Sequence, residues 1–166
     1  MLERDLFLPE VVGMSMRRWL HSGVALAVVV GLAATATFAA DMKMMAATQL
    51  KAAIAEAGKA ASATTLKSAQ SHLQSVVNCL EGPAGAMFKK MEGAMMSGCE
   101  GKGKGLLVDA KEMGGMSAGL LPWFEAANEN AALGLKATTL ARAQAAGYAA
   151  QSLLQRAEKS MMMKKM

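Results

Sequence analysis

The sequence predicts an all-α fold: an antiparallel four-helix bundle made of two similar helical hairpins joined by a long Gly- and Met-rich crossover. Three observations favour it. Of 166 residues, 53% are hydrophobic but only 4% are aromatic, because the apolar content is mostly Ala, Leu, Val and Met, a composition that favours helices. Apolar residues recur at helical spacing, and alternating strand-like runs do not accumulate. One short motif also occurs twice.

The first hairpin is predicted from two helical segments, over about residues 45 to 61 and 65 to 80. The earlier segment places on one face Leu50, Ile54, Ala57 and Ala61. The later segment has apolar residues at i, i+3, i+7, i+10, i+11 and i+14, namely Leu66, Ala69, Leu73, Val76, Val77 and Leu80. This spacing is typical of a buried helical stripe. Gly82 and Pro83 end the helix, because Gly suits its C′ position and Pro cannot continue it.

The second hairpin is predicted near the carboxyl end of the chain. Its first helix starts near Pro122, since Pro is favoured in a first helical turn, and its second runs from about residue 139 to 158. Their inner faces carry Phe124, Ala127, Ala131 and Leu135, and Leu140, Ala143, Gly147, Ala150 and Leu154, respectively. Gly recurs throughout the crossover, residues 82–121. An interior Gly costs a helix roughly 1 kcal/mol relative to Ala, so only a short helix is expected there, around Leu106 to Met113.

The repeated motif relates the two hairpins. Residues 63–70, ATTLKSAQ, match residues 137–144, ATTLARAQ, at an offset of 74, with six of eight positions identical. The paired threonines can cap the second helix of each hairpin. The repeat therefore predicts a bundle with pseudo-twofold symmetry. Chance similarity between Ala-rich helical segments is the alternative.

A secretory signal peptide is predicted over residues 1–40. Arg17–Arg18 supplies a positive n-region, and the apolar stretch over residues 24–38 is too short to span a bilayer comfortably. Small residues follow and fit cleavage after residue 39 or 40. An uncleaved N-terminal anchor is the alternative, and the twin-arginine route is a weaker one than ordinary secretion.

The acidic residues before the predicted n-region suggest that translation begins at Met14 or Met16. We divide the rest of the chain into a helical-bundle domain, residues 41–160, and a Met- and Lys-rich tail, residues 161–166. The mature protein is expected in the periplasm or secreted, with no stable membrane span after cleavage.

Two cysteines, Cys79 and Cys99, remain in the mature chain. Exported proteins occupy an oxidising compartment, where an even cysteine count favours a disulfide. Such a bond would close a loop of about twenty residues and stabilise the fold by roughly 3 kcal/mol. A pair of thiolate metal ligands is the alternative, although their spacing matches no zinc pattern.

Methionine is the unusual feature: the chain has 16. Met87, Met91 and Met95 are spaced i, i+4, i+8, so a helix would align their thioethers on one face, with Met96 as a spare ligand. Thioethers favour Cu(I). Additional thioethers are available at Met42, Met44, Met45, Met161, Met162 and Met163. His72 could join such a site or, with a Met, ligate a haem. The alternative is that these methionines serve packing or form an apolar interaction surface.

Several function classes find no support in the sequence. The formal charge of +5 comes largely from scattered lysines, which predicts a solvated surface and no nucleic-acid partner. The Gly-Lys repeat over residues 101–105 lacks the length and the terminal Lys-Ser/Thr of a phosphate-binding loop. With no catalytic motif either, we expect a non-enzymatic protein. If it binds no metal, we expect a structural or interaction module that presents its crossover to an envelope protein.

The segment over residues 72–82, HLQSVVNCLEG, is followed by Phe88, Cys99 and the Gly-rich stretch 101–105. Together these features resemble a group of uncharacterised bacterial exported proteins. Members of that group look like helical proteins in which a His-rich helix runs into Asn-Cys-Leu-Glu-Gly, with a second Cys before a Gly-rich turn. The resemblance covers about residues 66–109 and implies paired cysteines. The further histidines of the group are absent here.

Overall fold

A computed structural model of the chain describes residues 44–91, 99, 103–115 and 119–163. Within these ranges the all-α prediction is confirmed, since the described residues form helices and no strand. The helices are α1 over residues 44–61, α2 Leu66–Glu81, α3 Leu106–Met113, α4 Leu121–Leu135 and α5 Leu140–Met163. The predicted signal peptide, residues 1–40, lies outside the described residues. No helix of the described part is long and apolar enough to cross a membrane.

The ends of α2 follow from local chemistry. Thr65 has an extended backbone, and its hydroxyl oxygen accepts a hydrogen bond from the Ser68 N–H at 3.1 Å, which caps the helix as predicted. At the other end, Gly82 has φ 70° and donates its N–H to the carbonyl oxygen of Asn78. A Cβ at this position would run into the backbone of Lys104. Only Gly fits both the backbone angle and the close approach.

The helices pack as a bundle. α4 packs extensively against α5, and α2 packs against both. A Cβ added to Gly147 of α5 would lie 2.7 Å from the backbone nitrogen of Ala61 and 3.0 Å from the carbonyl oxygen of Ala57, both in α1. Gly58 of α1 faces the side chain of Gln151. Gly58 thus faces Gln151 and Ala61 faces Gly147, so a later residue of α1 lies against an earlier residue of α5. The two helices are therefore antiparallel.

Reciprocal hydrogen bonds relate the two hairpins. The Gln70 side chain donates from Nε2 to the carbonyl oxygen of Ala137 at 3.0 Å, in the loop between α4 and α5. Gln144, 74 positions after Gln70, donates from Nε2 to the carbonyl oxygen of Ala63 at 2.9 Å, in the loop between α1 and α2. Ala63 and Ala137 are also 74 positions apart. Each hairpin therefore satisfies the loop of the other, which makes the sequence repeat a structural one.

Burial repeats at the same offset of 74 positions. Pairs of positions 74 apart are buried in both hairpins: Leu50 and Phe124, Ala53 and Ala127, Ala57 and Ala131, Ala60 and Gly134, Ala69 and Ala143, Leu73 and Gly147, Val76 and Ala150, Leu80 and Leu154. Most members are Ala or Gly, which lets helix backbones approach closely.

One pair of equivalent contacts exchanges large and small residues. A Cβ added to Gly134 would lie only 2.5 Å from the methyl carbon Cδ1 of Leu73. At the equivalent contact, Gly147 takes the place of Leu73 and lies against the backbone of Ala60. A side chain fills one interface, and direct backbone contact fills the other. The two halves of the bundle are therefore alike in topology but not interchangeable.

The predicted boundaries need one correction. The helix expected to end near residue 158, before a tail beginning at 161, instead continues to Met163. Met is a good helix former, and Met161 packs against the core, so nothing ends the helix earlier. The short helix expected in the crossover is confirmed at Leu106–Met113, between Gly105 and Gly114.

We expect Gly147→Ala to destabilise the fold by about 1–3 kcal/mol, because its Cβ meets the rigid backbone of α1. Gly58→Ala is the matched control, since its Cβ meets only the end of the flexible Gln151 side chain. That variant should be neutral or more stable by up to about 1 kcal/mol, because Ala is the better helix former. Urea denaturation followed by circular dichroism measures both. Equal effects of the two substitutions would contradict the close packing of α1 on α5.

Candidate functional site

The carboxyl-terminal half of α2 holds the start of the crossover, here called segment 82–91. The Gln74 side chain donates from Nε2 to the carbonyl oxygen of Met87 at 2.8 Å. Asn78 donates from Nδ2 to the carbonyl oxygen of Lys89 at 2.6 Å, and its Oδ1 accepts the Lys89 N–H at 3.0 Å. The Glu81 carboxylate accepts the Met87 N–H at 2.8 Å. These three side chains replace the backbone partners that segment 82–91 would otherwise find in a helix or strand.

Two of these three side chains are themselves buried. Gln74 is 7% exposed and Asn78 is 3% exposed, and Gln74 also donates to Asn78 Oδ1 at 3.0 Å. A buried polar group without a partner costs about 1–3 kcal/mol, so α2 and segment 82–91 stabilise each other. Glu81 additionally accepts a hydrogen bond from Asn128 of α4 at 2.9 Å. The segment is irregular in secondary structure yet fixed in place.

A disulfide attaches a later part of the crossover to the same helix. Cys79 and Cys99 are bonded with their Cα atoms 5.2 Å apart, as predicted. Both are buried. Together with the hydrogen bonds of Asn78, the bond holds the crossover against α2 at two successive positions.

The predicted metal ligands lie in different settings. Met87 is half-buried and packs against the core. Met91 lies against α2, where its sulfur accepts a hydrogen bond from the Ser75 hydroxyl at 3.3 Å. Met95 and Met96 lie outside the described residues.

The expectation that a helix aligns Met87 with Met91 is wrong. Segment 82–91 contains no helix. Pro83 and the preceding Gly82 interrupt the helix, and α2 side chains occupy the backbone groups of Met87 and Lys89 that a helix would need. The two thioethers are therefore not stacked at a spacing of one helical turn.

His72 lies on α2, one turn before Ser75. Its Nδ1 is 2.8 Å from a carboxylate oxygen of Glu56 in α1, and Glu56 also pairs with Lys59 at 2.7 Å. Because a carboxylate accepts, Nδ1 carries the proton, and in the neutral ring Nε2 keeps a lone pair. Side chains three residues apart on a helix are neighbours, with Cβ atoms about 5–6 Å apart. Positions 72 and 75 of α2 are therefore neighbours, with Glu56 beside the first and the sulfur of Met91 beside the second.

A buried carboxyl group lies in the first turn of α3, and sequence reasoning missed it. Asp109 is 5% exposed. It accepts hydrogen bonds from the Lys104 backbone and from the Gln49 side chain. A Cβ on Gly103, where φ is 133°, would lie 2.9 Å from its carboxylate. Gly103 and Lys104 thus lie against an acidic group of the protein itself. The signal in the sequence was an Asp a few residues after two glycines.

Burial raises the pKa of Asp109 above its ordinary value of 3.8, and the nearby Glu112 raises it further. The hydrogen bonds from Lys104 and Gln49 and the charge of Lys104 lower the pKa, but less strongly. Lys104 pairs with Glu112 at 2.6 Å, which raises the pKa of Lys104. The folded protein therefore holds a proton on Asp109 more tightly than the unfolded chain does.

Among the described residues, no three His, Cys, Asp or Glu side chains group together as a metal site. Comparison with protein-family models, with curated proteins and with solved structures finds no match to this chain.

We expect Asp109 to make stability depend on pH. Because its pKa is raised in the folded state, the free energy of unfolding falls as pH rises through the interval from 3.8 to the raised value, and stays lower above it. Asp109→Asn removes this decline, since its Oδ1 can accept from Lys104 while its amide donates to a rotated Gln49. Urea midpoints between pH 4 and 7 measure the difference between variant and wild type.

Glu125→Gln, at an exposed position of α4, is the control and should follow the wild-type profile within about 0.5 kcal/mol. The expectation is contradicted if Asp109→Asn runs parallel to wild type over the whole pH range.

Proposed function

We propose that this is a small exported, non-enzymatic helical protein that binds a soft metal ion, Cu(I), with methionine thioethers and His72. The observation that carries the proposal is the position of the Met91 sulfur, 3.3 Å from the hydroxyl of Ser75, a residue one turn after His72 on α2. Thioether and imidazole are both ligands that Cu(I) accepts. Met87 lies four residues before Met91, and Met95 and Met96 follow it as further candidate ligands.

The partner of His72 supports a ligand role. Metal-binding histidines commonly donate one ring N–H to a carboxylate, which fixes the ring and increases the basicity of the other nitrogen. Glu56 stands in that position, 2.8 Å from Nδ1. We therefore assign Nε2 of His72 to the metal and Glu56 to orienting the ring.

Two features support export to the periplasm or the extracellular space. The predicted leader over residues 1–40 has the charge and length of a signal peptide. The disulfide between Cys79 and Cys99 is of the kind that persists in oxidising compartments. The resemblance to bacterial exported proteins is consistent with that location.

The second candidate function is an interaction module that binds no metal. The fixed backbone of segment 82–91 favours it, because a preorganised surface loses little entropy on binding. The segment presents the exposed side chains of Lys89 and Lys90 beside half-buried Phe88. An envelope protein with an acidic, apolar surface would be its partner.

We expect the purified protein, with its disulfide formed, to bind Cu(I) saturably in an anaerobic titration with a competing chromophoric chelator. Cu(I) is added as its acetonitrile complex, so that no thiol reductant opens the disulfide. Met91→Leu and His72→Gln should each weaken the affinity by at least tenfold, because each removes one ligand. Glu56→Gln should weaken it by about 10–100-fold through loss of the oriented ring.

Met113→Leu is the matched control, since Met113 packs against the core from α3 and belongs to neither α2 nor segment 82–91. Leu preserves volume, so all Met variants should unfold within about 1.5 kcal/mol of wild type. Unchanged affinity in both Met91→Leu and His72→Gln would contradict the metal site and leave the interaction module as the better proposal.

A further inference from the structure

Because α1 and α5 are antiparallel, the start of α1 and the end of α5 point to the same end of the bundle. Gly58 faces Gln151, and Ala61 lies against Gly147. Continued along both helices, this register places the start of α1, residues 44–46, opposite the end of α5, residues 161–163.

Both helices stay in the core at that end. Ala46 of α1 is 3% exposed and Ala157 of α5 is fully buried. Met161 also packs against the core. Both helices therefore still contribute to the same core close to their methionines.

Four methionines are exposed at this end of the bundle: Met44 at 66%, Met45 at 39%, Met162 at 57% and Met163 at 60%. We call them the terminal methionine patch. They are four of the six large hydrophobic side chains that are exposed within the described residues. Met42 and Met166, from the same two sequence clusters, lie outside that part of the chain.

Packing does not explain why these positions are methionine. The fully buried apolar core of the described residues is built from Ala, Leu, Val, Phe and Cys and contains no Met. Leu has similar size and helix propensity and is used throughout the core. What Met adds at an exposed position is a polarisable sulfur, and exposure leaves that sulfur accessible to an ion.

We propose that the terminal methionine patch is a second soft-metal site, which binds Cu(I) or Ag(I) with thioethers from both ends of the chain. Thioether ligands select such soft monovalent ions. Each helix contributes two adjacent methionines, so neither end supplies the whole ligand set. The inference shares its chemistry with the proposed function but rests on none of the same residues.

The test uses the full chain with its disulfide formed, methyl-¹³C-labelled at methionine, and Ag(I) nitrate in chloride-free buffer. We expect the methyl resonances of Met44, Met45, Met162 and Met163 to shift together and to saturate at one stoichiometric step. A variant with all four changed to Leu should lose that step. It should keep the separate step assigned to Met91 and His72, which Met91→Leu removes instead.

Two half-variants test whether the site spans both ends. Met44→Leu with Met45→Leu, and Met162→Leu with Met163→Leu, should each weaken Ag(I) binding at the patch by at least tenfold. If each half-variant leaves the other pair with unchanged affinity, the shared site is overturned.

Leu keeps the apolar surface while removing sulfur, which separates metal binding from hydrophobic association. If all four methyl resonances are unmoved by Ag(I), or if the four-Leu variant binds as much Ag(I) as wild type, the proposal is overturned. A dimer by light scattering, retained in the four-Leu variant without an Ag(I) response, would assign the patch to self-association instead.

Discussion

Burial of α2 is the constraint on which the rest of the structure depends. Residues 73–80 are all buried, including the polar Gln74 and Asn78. Apolar neighbours cover one side of the helix, but polar side chains need hydrogen bonds when they leave water. Segment 82–91 supplies them with its backbone, and Glu81 extends the network to Asn128 of α4. The hydrogen bonds that the buried side chains of α2 need therefore hold the crossover in place, and the disulfide from Cys79 adds a covalent link.

This constraint also places the candidate ligands. Because the crossover returns along α2, the sulfur of Met91 arrives at Ser75, near His72. His72 in turn is held by Glu56 of α1. α1 and the crossover thus contact α2 at neighbouring positions.

The pseudo-symmetry separates what the fold needs from what the site needs. The core and the loop-capping glutamines, Gln70 and Gln144, recur in both hairpins. The holding network does not. Positions equivalent to Gln74, Asn78 and Glu81 in the second hairpin carry Tyr148, Ser152 and Gln155, all exposed to solvent. No segment returns along that face of α5 in the described residues, so nothing requires buried polar groups there. The candidate site is the part of the first hairpin that the repeat does not share.

The sequence by itself determined the helices, their caps and the short helix in the crossover, because apolar periodicity, Thr caps and Gly breaks act over a few residues. Cysteine parity predicted the disulfide for a similar reason, since only two partners exist. The tertiary structure alone decided where the methionines lie. A spacing of four residues predicted aligned thioethers at Met87 and Met91. Side chains of α2 instead bond the backbone groups that a helix would need there, so the segment is not helical. The position of the start of α1 relative to the end of α5 depends on how α1 packs against α5, a contact between distant parts of the chain that no local pattern specifies.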